Sequence, residues 1–91
     1  MINQEVFIEQ VVRVAREHGY KIESHARTGE VQIDFGNKKL HAGHLKAILP
    51  GVLSNTTTIA KLIDSVAPGR PCSHRPMRQI IDQLKREGHL P

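Results

Sequence analysis

The chain closes with the stretch Ser73-His-Arg-Pro-Met-Arg-Gln-Ile-Ile-Asp-Gln-Leu-Lys-Arg-Glu-Gly-His-Leu-Pro91, which carries the clearest pattern in the sequence. Ser73 is placed to cap a helix, Pro76 falls in its first turn and Gly88 ends it. The apolar residues recur at the three- and four-residue steps of one helix face: Met77, Ile80, Ile81 and Leu84. The stretch therefore predicts an amphipathic helix with a basic outer face.

The sequence predicts another helix, the third of four in chain order, just before this terminal one. Ser54 to Thr58 offers several N-cap residues. They are followed by a helical apolar stripe: Ile59, Ala60, Leu62, Ile63 and Val66. A second helix is predicted from about Lys38 to Leu49, capped by Asn37 and ended by Pro50-Gly51.

The first half of the chain predicts one helix and a β-hairpin. Apolar residues recur at helical spacing from Gln4 to His18, and Gly19 can close that helix. The strict alternation of Val31-Gln-Ile-Asp-Phe35 is typical of a strand, which we expect to pair with the segment around Tyr20-Lys-Ile22. The predicted fold class is α+β: a small, mostly helical domain with a β-hairpin and a C-terminal helix-turn-helix-like pair. We expect a single domain over residues 1–91, with helix, hairpin and helix in 1–53 and the two last helices in 54–91.

Composition favours a folded globular protein. Leu, Ile, Val and Phe make up 25 of the 91 residues, above the roughly 20% below which highly charged chains stay disordered. The one cysteine, Cys72, cannot form a disulfide within the chain. No apolar run approaches the length of about 20 residues that spans a membrane. We therefore expect a cytoplasmic protein without a membrane partner.

Charge is unevenly distributed along the chain. Residues 38–91 hold nine of the 13 lysines and arginines but only three of the nine acids. A basic half of this kind is what contact with nucleic-acid phosphates requires, because most non-specific affinity comes from counterion release. A solvated charged face that binds nothing is the alternative interpretation.

The segments Ile59-Ala-Lys-Leu-Ile63 and Ile80-Ile-Asp-Gln-Leu-Lys-Arg-Glu-Gly-His-Leu90 resemble the helix-turn-helix of DNA-binding proteins, especially the winged-helix type, over residues 57–90. The resemblance implies a small regulatory protein that acts on double-stranded DNA, with a possible homodimer that reads two half-sites. Arg75, Arg78 and Gln79 would contact bases, helped by His74. The remaining basic residues would hold phosphates: Lys61, Arg70, Lys85 and Arg86.

A second resemblance covers residues 5–50. The order of elements in this part is similar to that of the HicA family of mRNA interferase toxins. The matching segments are helix one, Gly19-Tyr20, Ser24-His25, a strand and Leu40-His-Ala-Gly-His-Leu-Lys-Ala-Ile-Leu49. That family has a double-stranded-RNA-binding-like fold with three strands and a catalytic histidine in a Gly-Ser-His run. The histidine carried over is His25, although Glu23 stands where the family has glycine and the predicted sheet is shorter.

Other functional classes receive little support from the sequence. A protein-protein interaction or dimerisation module without nucleic acid remains an alternative, with apolar surface on helix one or between Leu45 and Leu53. His41 and His44, together with Cys72 and His74, have the donor types of zinc sites in a spacing that matches no recognised finger. The sequence leaves open whether they meet. No catalytic residue, metal, cofactor or small-molecule substrate is predicted.

Overall fold

A computed structural model describes residues 2–36, 38–55, 57–68 and 74–91. The described chain forms four helices and a three-stranded antiparallel sheet, so the predicted α+β class is confirmed. The elements in chain order are α1 (Gln4–Glu17), β1 (Lys21–Ser24), β2 (Val31–Asp34), β3 (Lys39–His41), α2 (Ala42–Ser54), α3 (Ile59–Val66) and α4 (Arg75–Arg86).

Helix α1 begins and ends at local signals. The side chain of Asn3 accepts a hydrogen bond from the Val6 N–H at 2.8 Å, which satisfies one of the free donors of the first turn. The helix ends at Glu17, and Gly19 follows with a φ of 85°, a left-handed conformation that favours glycine. Its inner face is fully buried: Phe7, Val11, Val14 and Ala15.

The sheet has the order β1-β2-β3 and contains one strand more than the predicted hairpin. Ile22 pairs with Ile33, and Ile33 pairs in turn with Leu40. The expectation of a helix from Lys38 was wrong, because Lys39–His41 forms β3. Leu40 is compatible with either pattern, and pairing with Ile33 on the buried face decides for the strand. The predicted cap Asn37 lies outside the described residues.

Helix α2 differs from its prediction at both ends. It begins at Ala42, with His41 as its N-cap, and passes through Pro50 to Ser54. Proline removes one backbone hydrogen bond from a helix, and Pro50 lies on the exposed side of α2. Asn55 ends the helix in the left-handed conformation, with a φ of 55°.

The last two helices occur where they were expected, but each packs mainly on a different partner. Helix α3 packs on α2, where a Cβ at Gly51 would overlap the side chain of Leu62. Helix α4 packs on α1. Pro76 lies in the first turn of α4, Gly88 follows its end with a φ of 85°, and Leu90 is buried. The predicted cap Ser73 lies outside the described residues.

All four helices and the sheet contribute to one hydrophobic core. Its largest fully buried side chains include Phe7 of α1, Ile33 of β2, Leu45 of α2, Ile63 of α3 and Leu84 of α4. Within the described residues, no polar or charged side chain is buried. None of the helices in this part of the chain is long and apolar enough to cross a membrane.

Candidate nucleic-acid interface

Polar contacts fasten one flank of α4 to α1. Gln83 Oε1 lies 2.9 Å from His18 Nε2, and Glu87 accepts a hydrogen bond from the Arg13 guanidinium. This contact lowers the pKa of Glu87, chiefly because the hydrogen bond from Arg13 favours the carboxylate. The pKa of Arg13 is raised in turn, with the hydrogen bond to Glu87 as the largest cause. The opposite flank of α4 is turned away from α1.

That opposite flank forms one wall of a surface groove. The α4 wall is lined by His74, Arg75, Arg78, Ile81, Asp82 and Lys85. The facing wall is the start of α3 and the residues before it: Asn55, Thr57, Thr58, Ile59 and Ala60. Four of the predicted nucleic-acid-binding residues therefore line the same groove: His74, Arg75, Arg78 and Lys85.

The backbone adds positive potential to this groove. The N-terminus of α3 lies in its wall, and a helix N-terminus carries partial positive charge. Thr58 caps that end by accepting from the Lys61 N–H at 3.3 Å. The first turn of α4 contains no acidic residue that would offset its own dipole. Asp82 is the acidic residue among the lining side chains.

An acidic residue on α3 positions one end of the groove. Asp64 Oδ1 lies 3.4 Å from His74 Nε2 and 3.8 Å from Lys38 Nζ. Lys38 Nζ also donates to the Ala67 carbonyl at 2.7 Å. These contacts connect the start of α4, the end of α3 and the segment before β3.

The other predicted residues are placed differently. Gln79 and Arg86 are exposed on α4, and Lys61 is exposed on α3, but none of them lines the groove. Arg70 lies outside the described residues. One lysine of the basic half forms an ion pair on the sheet: Lys39 Nζ lies 3.1 Å from Glu23 Oε1 on β1. A hydrogen bond from Gln32, followed by the one from Lys39, lowers the pKa of Glu23.

A cluster of three histidines lies on another part of the surface, and we call it the histidine cluster: His25, His41 and His44. The rings of His25 and His41 are 4.8 Å apart, and those of His41 and His44 are stacked at 3.8 Å. From the sequence, the histidines considered as a group with Cys72 were His41, His44 and His74. His74 contacts Asp64, and Cys72 lies outside the described residues. Within the described ranges, no group of three potential ligands is arranged to hold a metal ion.

The signal for the histidine cluster was present in the sequence in part. His41 and His44 are three residues apart in sequence, and the structure stacks their rings at the start of α2. Nothing local indicated that His25, at the end of β1, would join them. The strand order brings it there.

Comparison of the chain with protein-family models, curated proteins and solved structures finds no match in any of the three.

Proposed function

We propose that the protein binds double-stranded DNA through the groove between the start of α3 and α4. The observation that carries this proposal is the meeting of Arg75, Arg78 and Lys85 with the N-terminus of α3 in one groove. Lysine and arginine side chains and the N-termini of helices are groups from which phosphate oxygens accept hydrogen bonds. The uneven charge of the chain supports the same partner.

The packing of α4 supports a role as the contacting helix. Its apolar side is buried against the core, one flank is fastened to α1, and its outer face is exposed. The major groove of B-DNA is about 12 Å wide and admits a helix of this kind. Arg75, Arg78 and Gln79 near the start of α4 would then reach base edges, while Lys85 holds a phosphate.

A homodimer is the form in which such a small module would gain specificity. Two copies related by a two-fold axis would read two half-sites and double the number of contacts. We propose regulation of transcription as the setting, because recognition of duplex half-sites is the usual task of such a pair.

The DNA proposal predicts that Arg78→Ala with Lys85→Ala weakens binding to duplex DNA and makes it less dependent on salt. Loss of the phosphate contact of Lys85 should reduce the slope of log affinity against log salt by about 0.9, whereas loss of Arg78 should lower the affinity by removing a base contact. The measurement is fluorescence anisotropy with a labelled duplex between about 50 and 200 mM salt.

A charge-matched control separates this site from net charge alone. Arg16→Ala with Arg27→Ala also removes two exposed cations, which lie on α1 and in the turn after β1. We expect the control to change the slope less than the groove variant. Equal slopes for the two double variants, or an absence of binding by the native protein at low salt, would overturn the proposal.

Cleavage of RNA is a second candidate, favoured by the sheet. The order α1-β1-β2-β3-α2 supplies the three strands that the resemblance to HicA toxins requires. His25 accepts backbone hydrogen bonds at Nδ1 from Arg27 and Thr28, which leaves Nε2 as its reacting nitrogen. If this function is correct, the native protein shortens messenger RNA in vitro and His25→Ala does not. Intact RNA with both proteins would remove the candidate.

A further inference from the structure

The histidine cluster joins three separate parts of the chain. His25 follows the last residue of β1, His41 ends β3 and caps α2, and His44 lies in the first turn of α2. The ring contacts of 4.8 and 3.8 Å make the cluster continuous from the β1–β2 turn to the helix. All three side chains are partly buried.

Each of the three rings accepts a backbone hydrogen bond through Nδ1. His44 accepts from the His41 N–H at 3.2 Å, and His41 accepts from the Gly43 N–H at 3.0 Å. These two bonds form a capping box at the start of α2. His25 accepts from the Arg27 and Thr28 N–H groups at 3.2 and 3.3 Å, which shapes the turn after β1.

Protonation is incompatible with these bonds. A neutral imidazole has one acceptor nitrogen, whereas an imidazolium carries hydrogen on both nitrogens and accepts nothing. A proton at Nδ1 of His41 or His44 would therefore replace an N–H···N bond by two opposed N–H groups. The N-cap of α2 would be lost in that state.

The charged groups around the cluster can compensate only part of the positive charge that protonation of the rings would add. Glu30, which directly precedes β2, places Oε2 3.8 Å from His41 Nδ1. The charged and titratable groups that act on His44 are His41, His25, Glu30 and Lys38. One carboxylate thus faces three imidazoles and a lysine, so protons on neighbouring rings would repel one another.

We propose that the histidine cluster is a pH-sensitive latch, which fastens the start of α2 to the β1–β2 turn when its rings are neutral and releases both when they are protonated.

The direction of the pH dependence agrees with the state of His44. Its pKa is lowered from the ordinary value of 6.5, first by burial and then by His41 and His25. The folded protein then binds fewer protons at this site than the unfolded chain. The latch stabilises fully above the unfolded pKa of 6.5, and its contribution is lost as the pH falls below that value towards the folded pKa.

Amide hydrogen exchange at single residues tests the latch, with a chelator present so that no stray metal holds the rings. Exchange protection, corrected for the intrinsic pH effect, is compared at about pH 7.5 and about pH 5.5, the range in which histidine titrates. We expect the protection of three amides, those of residue 41, Gly43 and Thr28, to fall by about fivefold or more at the lower pH. This is the factor for a typical lost N-cap. Amides in the centre of α1 should not change.

Matched variants retain the two side-chain caps at the start of α2 and replace the titratable rings of His41 and His44 that form them. Gln at the third helical position completes a capping box, and Asn is a preferred N-cap. His44→Gln combined with His41→Asn should therefore keep protection of the residue 41 and Gly43 amides at about pH 7.5 and lose their fall at about pH 5.5, whereas the Thr28 amide, which is held by His25, should still lose protection. If the double variant does not fold, His44→Gln alone should reduce the fall.

The control is His89→Gln, because His89 is exposed near Glu87 and outside the cluster. It should retain the full loss of protection. The proposal is overturned if the native protein is equally protected at both pH values, or if the residue 41 and Gly43 amides lose protection in the double variant as they do in the native protein.

Discussion

At the scale of single residues, side-chain caps explain where α1, α2 and α3 begin. Five residues from Ser54 to Thr58 offered possible caps for α3, and Thr58 is the one whose side chain accepts a first-turn N–H. Helix α3 has eight residues, and Ile63 is its one fully buried side chain. A short helix with little buried surface depends strongly on its cap.

Thr58→Ala should therefore lower the free energy of unfolding by about 1 kcal/mol, the usual cost of losing a threonine N-cap. The neighbouring variant Thr57→Ala is the matched control, because Thr57 is also exposed. It should change the free energy by less than about 0.5 kcal/mol. Urea unfolding of the two variants measures the difference. Equal losses would show that Thr58 does not hold the helix end.

At the scale of elements, each helix was predictable where its signals were local. The ends of α1 and α4 follow from Gly19 and Gly88, and the apolar stripes of both helices became their buried faces. The strand β3 was not predictable in this way. Three residues are too few to show a period, and the partner that holds Leu40 in place, Ile33, lies on another strand. The shift from helix to strand there moved the start of α2 to Ala42.

The groove beside α4 was predictable only in part, as the elements were, because one of its walls is local in sequence and the other is not. The sequence predicts one basic outer face on the last helix, which carries Arg75, Arg78, Gln79, Lys85 and Arg86. That the groove would be completed by the N-terminus of α3 depends on α3 lying against α2 while α4 lies against α1. This arrangement places the basic flank of α4 beside the start of α3 and leaves Gln79 and Arg86 outside the groove.

At the scale of the whole molecule, the core links all elements. Leu84 of α4 is fully buried in the same cluster as Phe7, Ile33 and Leu45. The sheet side of the molecule has a natural probe in Tyr20, the one tyrosine in a chain without tryptophan, whose ring packs at 5.0 Å from that of Phe35. Because the elements share one core, a loss of packing in α4 should shift the unfolding transition that Tyr20 fluorescence reports.

Leu84→Ala should lower the free energy of unfolding by about 2–5 kcal/mol, since it leaves a cavity in the core. Far-UV circular dichroism and Tyr20 fluorescence should report the same shifted transition. Leu53→Ala, at a partly buried position, is the control and should cost less. Separate transitions for the two probes would show that the helices and the sheet unfold independently.

The sequence by itself determined the amphipathic helices, several of their ends and the basic second half of the chain. These features depend on neighbouring residues, so a short window contains their cause. The tertiary structure alone decided the third strand, the groove beside α4 and the meeting of His25 with His41 and His44. Each of these joins residues far apart in sequence, and their contact depends on how the strands pair and the helices pack around the common core.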